Sequence, residues 1–244
     1  MPRLTGLLRI LAAVAVLLSP AALQAADYAP WVVYYRNSEP ARSFFNYRLA
    51  VFDADHHPPL APLFDRDIWL LGYISLGEME SWRPDFAAVK KSGILLDENP
   101  HWPGSYFVDI RNPAWQARIL DKVAPAVWAQ GFHGFFLDTL DDAGHLERLD
   151  PVRYKGMTAA AAHLVHELRQ RFPTAKIMLN RAFELHAAVA QDIDFVLGES
   201  IRSVWSAERK AYTLTPDADY RAYVAKLKDV QKRNPKLTVM TLDY

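Results

Sequence analysis

The chain has 244 residues, 51% of them hydrophobic, which is enough for one large core of the size common in single-domain α/β barrels. Its 28 basic residues balance its 28 acidic residues, so the clustered cationic surface that nucleic acid requires is not indicated. The absence of cysteine excludes disulfides, thiolate metal sites and a lipidated N-terminal cysteine.

The first 25 residues have the pattern of a secretory signal peptide. Arg3 and Arg9 form a basic start, residues 10–18 an apolar centre, and small residues follow up to a predicted cleavage site after Ala25. An uncleaved anchor is the alternative, but the apolar stretch is short for a transmembrane helix, which needs about 20 residues. We therefore expect a periplasmic or secreted protein whose mature domain is 26–244.

Short apolar runs alternate with helical segments along the rest of the chain. The predicted strands are 31–35, 49–53, 69–76, 132–138, 176–180, 194–199 and 237–243. The predicted helices are 113–131 with Asn112 as its cap, 150–172, 183–190 and 215–234. The apolar run 106–109 is interpreted as a strand extension in the long connection after the third strand. Such alternation predicts a parallel sheet with the helices outside it.

Six of the apolar runs end in a polar or acidic residue, most clearly Gly134 to Asp138. A carboxylate beside an apolar core opposes stability because it loses hydration. Its recurrence at successive strands indicates a site assembled from many strand ends, as in (β/α)8-barrel enzymes. A doubly wound open sheet is the rival fold, but it would concentrate binding at one switch point.

The predicted fold class is therefore α/β, a (β/α)8 TIM barrel. A closed barrel of this kind has eight strands, whereas seven are counted here, and the first and seventh would leave unpaired edges. The simplest interpretation is that the barrel is truncated after its seventh strand.

Three acidic residues are the strongest candidates for catalysis. Cleavage of a glycosidic bond needs one carboxyl group as proton donor and another as nucleophile or base. Asp138 ends the predicted fourth strand, Asp141 lies in the loop above it, and Glu199 ends the sixth strand. The structural alternatives are a turn or helix cap for Asp138 and a solvated loop or cap for Asp141.

The order of several short motifs resembles a known family. The stretches 51–57, 71–78, 107–111, 135–140, 178–181 and 197–200 are similar to the barrel family of endo-α-1,4-polygalactosaminidases, including the hydrolase domain of the Pel biofilm-polysaccharide hydrolase/deacetylase proteins. The resemblance implies a (β/α)8 fold, a periplasmic location and endo-hydrolysis of a polymer of α-1,4-linked galactosamine and N-acetylgalactosamine. It also implies catalytic roles for Asp138 or Asp141 and for Glu199.

An acidic mouth suits this amino-sugar polysaccharide, because deacetylated galactosamine is cationic near neutral pH. We expect carboxylates to attract it, namely Asp53, Asp55, Glu78, Asp109 and Asp243. Ring faces and hydrogen-bonding groups complete the predicted substrate site, from Tyr34, Tyr73, Trp102, Asn180 and Arg181. His56 and His57 are expected to line the sugar site or to orient a carboxylate.

The run Asp55-His56-His57 invites two other interpretations, a metal site and the signature of certain phosphoesterases. Adjacent histidines rarely chelate one ion, because their side chains diverge on an extended backbone. We therefore predict neither a metal nor a cofactor. The main functional alternative is a non-catalytic barrel that binds or guides polysaccharide, with an export or modification machinery as its partner.

Overall fold

The computed structural model describes residues 27–206 and 208–244, so the predicted signal peptide lies outside the described residues. The strands are β1 Trp31–Tyr34, β2 Leu49–Asp53, β3 Trp69–Ser75, β4 Glu78–Glu80, β5 Leu95–Glu98, β6 Ser105–Val108, β7 Gly134–Asp138, β8 Lys176–Asn180, β9 Phe195–Glu199, β10 Ser203–Ser206, β11 Ala211–Leu214 and β12 Thr238–Leu242. The α-helices are α1 Ala61–Phe64, α2 Phe86–Lys91, α3 Pro113–Arg118, α4 Ala124–Ala129, α5 Asp141–Leu149, α6 Met157–Arg171, α7 His186–Val189 and α8 Asp217–Arg233. A 3₁₀ helix covers Ala41–Phe44, and a π-helical turn, Ile119–Val123, joins α3 to α4. Within the part of the chain that is described, no helix is both long and apolar enough to cross a membrane.

Seven strands form one parallel sheet in the order β1, β2, β3, β7, β8, β9, β12. This order follows the chain without a reversal, which a doubly wound open sheet would require at its switch point. The arrangement is that of the (β/α)8-barrel fold, and the part of the chain that is described contributes seven parallel strands to it. The seven predicted strands are confirmed, and their ends differ from the prediction by two residues or fewer.

The core has two layers because alternate residues of a strand face opposite sides of the sheet. Leu49 and Val51 of β2 belong to an inner cluster with Phe136 and Met178 of other strands. The intervening Phe52 packs in the larger outer cluster, between the sheet and the helices. Both faces of the sheet are buried, which accounts for the continuous apolar runs of the sequence.

The connection after β3 differs from the prediction. Residues 106–109 do not extend the main sheet, because β6 is the central strand of a separate antiparallel sheet between β4 and β5. This small sheet places β4 above the carboxyl end of β3, where it forms one wall of the barrel mouth.

Two further elements were not predicted, and one predicted helix begins later. Asp141 opens α5 rather than lying in a loop, and a hairpin of β10 and β11 follows β9. The helix predicted from residue 150 begins at Met157, because the Asp150 carboxylate accepts the N–H groups of Val152 and Arg153 and holds a turn there. The predicted cap is confirmed, since the Asn112 side chain accepts the Ala114 N–H at 2.9 Å.

Gly77 allows the turn after β3 to pass directly against the residue that follows Asp138. A Cβ atom at Gly77 would lie 2.0 Å from the carbonyl oxygen of Thr139. Thr139 has φ of 63°, and its hydroxyl accepts the Gly77 N–H at 2.8 Å while it donates to the Asp138 carbonyl at 2.7 Å. The crossing of these two turns therefore sets the backbone at the end of β7.

We expect Gly77→Ala to lower the free energy of unfolding by about 2 kcal/mol, because the added methyl group meets backbone rather than a flexible side chain. Chemical denaturation measures the loss. The control is Gly93→Ala, where the added Cβ has nothing within 4 Å but φ is 73°, and strain alone costs about 1 kcal/mol. Equal losses in the two variants would contradict the close-approach explanation.

Candidate active site

The carboxyl ends of β7, β8 and β9 bring three polar side chains together in the barrel mouth. The Asn180 side-chain amide donates to Asp138 Oδ1 at 2.9 Å and to Glu199 Oε2 at 2.7 Å. Because both bonds start from one nitrogen, the two carboxyl oxygens are at most 5.6 Å apart (2.9 plus 2.7 Å). Asn180 is 4% exposed, so this bridge is shielded from water.

The three side chains point the same way because they share the strand periodicity of two. Phe136, Met178 and Leu197 lie in the inner cluster, and the site residues Asp138, Asn180 and Glu199 come two positions later on the same strands. The inward face of each strand therefore ends in a polar group at the mouth.

Tyr244 is a second partner of Glu199 that was not predicted from the sequence. Its hydroxyl donates to Glu199 Oε1 at 2.7 Å, and the residue is 54% exposed. On the other side, Arg181 donates to the Glu199 carbonyl at 2.8 Å. Glu199 therefore links the buried bridge to the solvent-exposed rim of the cleft.

The environment of Asp138 favours its neutral form. Burial raises the pKa of Asp138 to about 6, with the hydrogen bond from Asn180 opposing this and the charges of Glu199 and Asp141 adding to it. Burial, with the charge of Asp138, also raises the pKa of both Tyr35 and Tyr73. These phenols keep their protons at every pH at which the carboxyl group changes charge.

Asp141 lies in the same cleft but has a different partner. Its carboxylate forms an ion pair with Arg181 at 3.6 Å, from the first turn of α5. Burial raises the pKa of Asp141 and the charge of Arg181 opposes that rise. The bridging amide of Asn180 joins Asp138, and not Asp141, to Glu199.

Glu78 and Asp142 form a further acidic region of the cleft. Glu78 is buried and accepts the Asn99 side-chain amide at 2.6 Å and the Ser105 hydroxyl. Burial, followed by the charge of Glu78, raises the pKa of Asp142 well above its usual range. Asn99 and Ser105, which were not predicted, come from the small antiparallel sheet, and no pattern in the sequence places them beside Glu78.

Arg83 pairs with two of the five carboxylates that were predicted to attract the substrate, Asp53 and Asp55. Its guanidinium contacts Asp53 at 2.9 Å, Asp55 at 2.7 Å and Glu80 at 3.2 Å. Burial opposes ionisation of Asp53, but the hydrogen bond and charge of Arg83 outweigh it and the pKa of Asp53 is lowered. The prediction that Asp53 and Asp55 offer free charge overlooked this arginine, which follows Asp53 by 30 residues.

Besides Asp55, which Arg83 holds at 2.7 Å, four predicted substrate contacts are absent from the lining of the cleft. The Tyr34 ring packs on Phe44 and Phe52 in the outer layer, and its hydroxyl bonds Ser38. Alternation explains this, because Tyr35 is the residue of the right parity and lines the cleft. The same alternation applies at the end of β12. Tyr244 lines the cleft, whereas its neighbour Asp243 accepts the N–H groups of Arg202 and Ser203.

The other two predicted substrate contacts outside the cleft are Asp109 and His57. Asp109 forms an ion pair with Arg111 at 2.8 Å, and that hydrogen bond, against the effect of burial, lowers the pKa of Asp109. The His57 ring is hydrogen-bonded to the Pro58 carbonyl and to Gln130 Oε1. His56, by contrast, lines the cleft.

The whole cleft has a volume of about 740 Å³. Its aromatic rim is formed by Tyr35, Tyr73, Trp82, Trp102 and Tyr244. Among the described residues, no group of three or more histidine and acidic side chains is placed to hold a metal ion. The predicted residues that the structure gathers in the cleft are Asp53, His56, Tyr73, Glu78, Trp102, Asp138, Asp141, Asn180, Arg181 and Glu199.

The sheet order and the acidic residues at the strand ends define a barrel of the glycoside-hydrolase class. The chain belongs to glycoside-hydrolase family GH114, whose family model matches residues 18–236. The family resemblance predicted from the motifs is thereby confirmed.

Solved structures agree with this assignment. The glycoside hydrolase domain of PelA from Pseudomonas aeruginosa is 24% identical, with a TM-score of 0.78 over 88% of this chain and 84% of that chain. Ega3 of Aspergillus fumigatus, solved in complex with galactosamine, is 17% identical, with a TM-score of 0.68 over 88% of this chain and 76% of that chain. At these identities the likeness shows a common fold.

An uncharacterized protein of Deinococcus radiodurans is 33% identical over 120 residues, which are 48% of this chain and 38% of that protein. The match therefore spans less than two fifths of that relative's length. An uncharacterized protein of Thermotoga maritima is 22% identical over 234 residues, 88% of this chain and 70% of that protein.

The raised pKa of Asp138 predicts that Asp138→Asn stabilises the fold in a pH-dependent way. Below the ordinary pKa of 3.8 the carboxyl group is neutral in both the folded and the unfolded chain. Its ionisation then makes no difference to the stability of the variant relative to the wild type. Above about 6 the folded protein carries a buried charge, and the variant should be more stable by about 1–3 kcal/mol. Thermal unfolding from pH 3.5 to 8 measures the difference, and a gain that is constant with pH would contradict the shift.

Proposed function

We propose that this protein is an endo-acting, retaining glycoside hydrolase of polymers that contain α-1,4-linked galactosamine and N-acetylgalactosamine, and that Asp138 and Glu199 are its catalytic pair. The observation that carries the proposal is the Asn180 bridge, which limits two carboxyl oxygens to a separation of at most 5.6 Å (2.9 plus 2.7 Å). Retaining enzymes place their carboxyl groups about 5–5.5 Å apart, whereas inverting enzymes need about 6.5–9.5 Å to admit a water molecule.

We assign Asp138 as the nucleophile and Glu199 as the acid/base. Asp138 ends β7, and its short side chain is held by Asn180 for attack on the anomeric carbon. Glu199 is bonded to the exposed Tyr244, so it can exchange protons with solvent. It would protonate the leaving oxygen in the first step and activate water in the second.

The assignment requires the proton of the pair to reside on Glu199, although burial and the neighbouring charges raise the pKa of Asp138. Glu199 in its ionised form raises the pKa of Asp138. When Glu199 carries the proton that it will donate, its negative charge no longer raises the pKa of Asp138. Asp138 then ionises more readily, as expected for coupled groups. The positively charged sugar of the transition state is then stabilised by the Asp138 carboxylate.

Asp141 was the alternative nucleophile, and its contacts favour a supporting role. Its ion pair with Arg181 sets the position of that guanidinium, which also donates to the Glu199 carbonyl. We propose that Asp141 contributes negative potential to the cleft and orients Arg181.

The substrate class follows from the charge of the cleft. Glu78, Asp138, Asp141 and Glu199 all line it, so the cleft attracts a cationic amino sugar. The galactosamine bound to Ega3 supports the same class. Aromatic side chains from separate parts of the chain, Trp82, Trp102 and Tyr244, also line the cleft and offer ring faces to a sugar polymer.

Both members of the pair can be tested by amide substitution. We expect Asp138→Asn and Glu199→Gln each to lower the release of reducing ends from a galactosamine polymer by about 100-fold or more, while binding of the polymer persists. The matched control is Asp141→Asn, which removes a carboxylate from the same cleft and should lose much less activity. Proton NMR of the first product should show the α-anomer.

Two results would contradict the proposal. A β-anomer as the first product would mean inversion. Binding of the polymer without any release of reducing ends by the wild-type protein would favour the alternative role, a non-catalytic barrel that acts with a polysaccharide export machinery.

The acid side of the pH–activity profile reports on Asp138. We expect kcat/KM to fall as the pH drops below about 6, because protonation removes the nucleophile. Asp141→Asn should move this limb to lower pH, since the charge of Asp141 helps to raise the pKa of Asp138. A limb that stays in place or moves to higher pH in that variant would exclude Asp138 as the titrating group.

A further inference from the structure

The hairpin of β10 and β11 presents two large aromatic side chains beside the cleft. In the antiparallel register Trp205 lies opposite Tyr212, so both side chains are on one face of the hairpin. They are 52% and 50% exposed, although burial of such rings is strongly favoured in water. An exposed aromatic patch that the fold does not cover is typical of a binding surface.

Tyr244 connects this patch to the proposed catalytic pair. Its ring is stacked on Tyr212 with centroids 5.5 Å apart and planes 25° apart. Trp205 meets Tyr212 edge-on at 5.2 Å. Since the Tyr244 hydroxyl donates to Glu199 Oε1 at 2.7 Å, a continuous row of three aromatic rings leads outward from the Glu199 side of the cleft.

Hydrogen bonds join the row to the end of β12. Asp243 Oδ1 accepts the N–H groups of Arg202 and Ser203 at 2.7 and 3.0 Å. The Ser203 hydroxyl donates to the Tyr244 carbonyl at 2.7 Å and is 3.0 Å from the Tyr244 nitrogen. A surface ordered in advance loses little conformational entropy when a ligand binds.

We propose that Trp205, Tyr212 and Tyr244, the aromatic shelf, form a sugar-binding subsite that holds residues of the amino-sugar polymer beyond the cleavage point. A galactose-type ring presents C–H groups on one face, which pack against an aromatic ring. A deacetylated residue also carries an ammonium group, which is attracted to the face of tryptophan and tyrosine. The shelf rests on the proposed function, because its ligand is the continuation of the chain bound in the cleft.

The shelf is tested with Trp205→Ala and Tyr212→Ala in the Asp138→Asn background, with a soluble galactosamine polymer as the probe in isothermal titration calorimetry. We expect each variant to raise Kd for the polymer about tenfold, as for a central aromatic contact. Galactosamine itself, a single ring that cannot extend from the catalytic pair onto Tyr212 and Trp205, should bind all of these proteins alike. In the catalytically intact background kcat/KM on the polymer should fall by a similar factor.

Two control variants separate stacking from damage to the hairpin. Val204→Ala changes the opposite face of β10 and should leave Kd for the polymer within about twofold of its starting value. Tyr212→Phe keeps the ring and removes only the hydroxyl, so it should bind as the unchanged protein does. Thermal unfolding checks that all the variants fold.

Unchanged polymer binding in folded Trp205→Ala and Tyr212→Ala proteins would overturn the shelf while the proposed hydrolysis stands. A wild-type protein that releases no reducing ends, but whose polymer binding weakens in these two variants, would overturn the hydrolysis and support the shelf. A protein that neither cleaves nor binds the polymer would overturn both.

Discussion

One buried amide organises the cleft of this protein. Asn180 donates from a single nitrogen to Asp138 and Glu199, on the strands to either side of it. Two carboxyl groups confined in this way repel each other and lose hydration, which raises the pKa of Asp138 to about 6. The barrel tolerates this cost because the surrounding strands bury apolar residues on both faces. The buried carboxyl pair therefore costs stability at the place where hydrolysis requires a proton donor and a nucleophile.

Elsewhere in the cleft, arginine side chains neutralise the carboxylates. Arg83 contacts three carboxylates on one side of the mouth, and Arg181 contacts Asp141 on the other. The acidic groups that lack a cationic partner of this kind are concentrated around Asp138 and Glu199. Electrostatic attraction for a cationic sugar is therefore focused on the floor of the cleft and is weaker at its rim.

The walls of the cleft come from insertions in the barrel. The small sheet of β4, β5 and β6 supplies Asn99 and Ser105 to Glu78, and the hairpin of β10 and β11 supplies the aromatic shelf. The seven main strands were predictable because each is an apolar run with a clear end. The strands β5, β10 and β11 were not, because they are half-exposed pieces whose formation depends on the partner strand they meet.

The sequence by itself determined the barrel class, the order of the strands and the acidic residues at their ends, since hydrophobic periodicity and strand length are local properties of the chain. It also determined that Tyr35 rather than Tyr34, and Tyr244 rather than Asp243, faces the cleft, because inward positions recur every second residue. Only the tertiary structure decided which aspartate is bridged to Glu199 and which carboxylates are neutralised. Those outcomes depend on Asn180, Arg83 and Arg181 approaching carboxylate side chains 19 to 42 residues away, and no local pattern encodes such contacts.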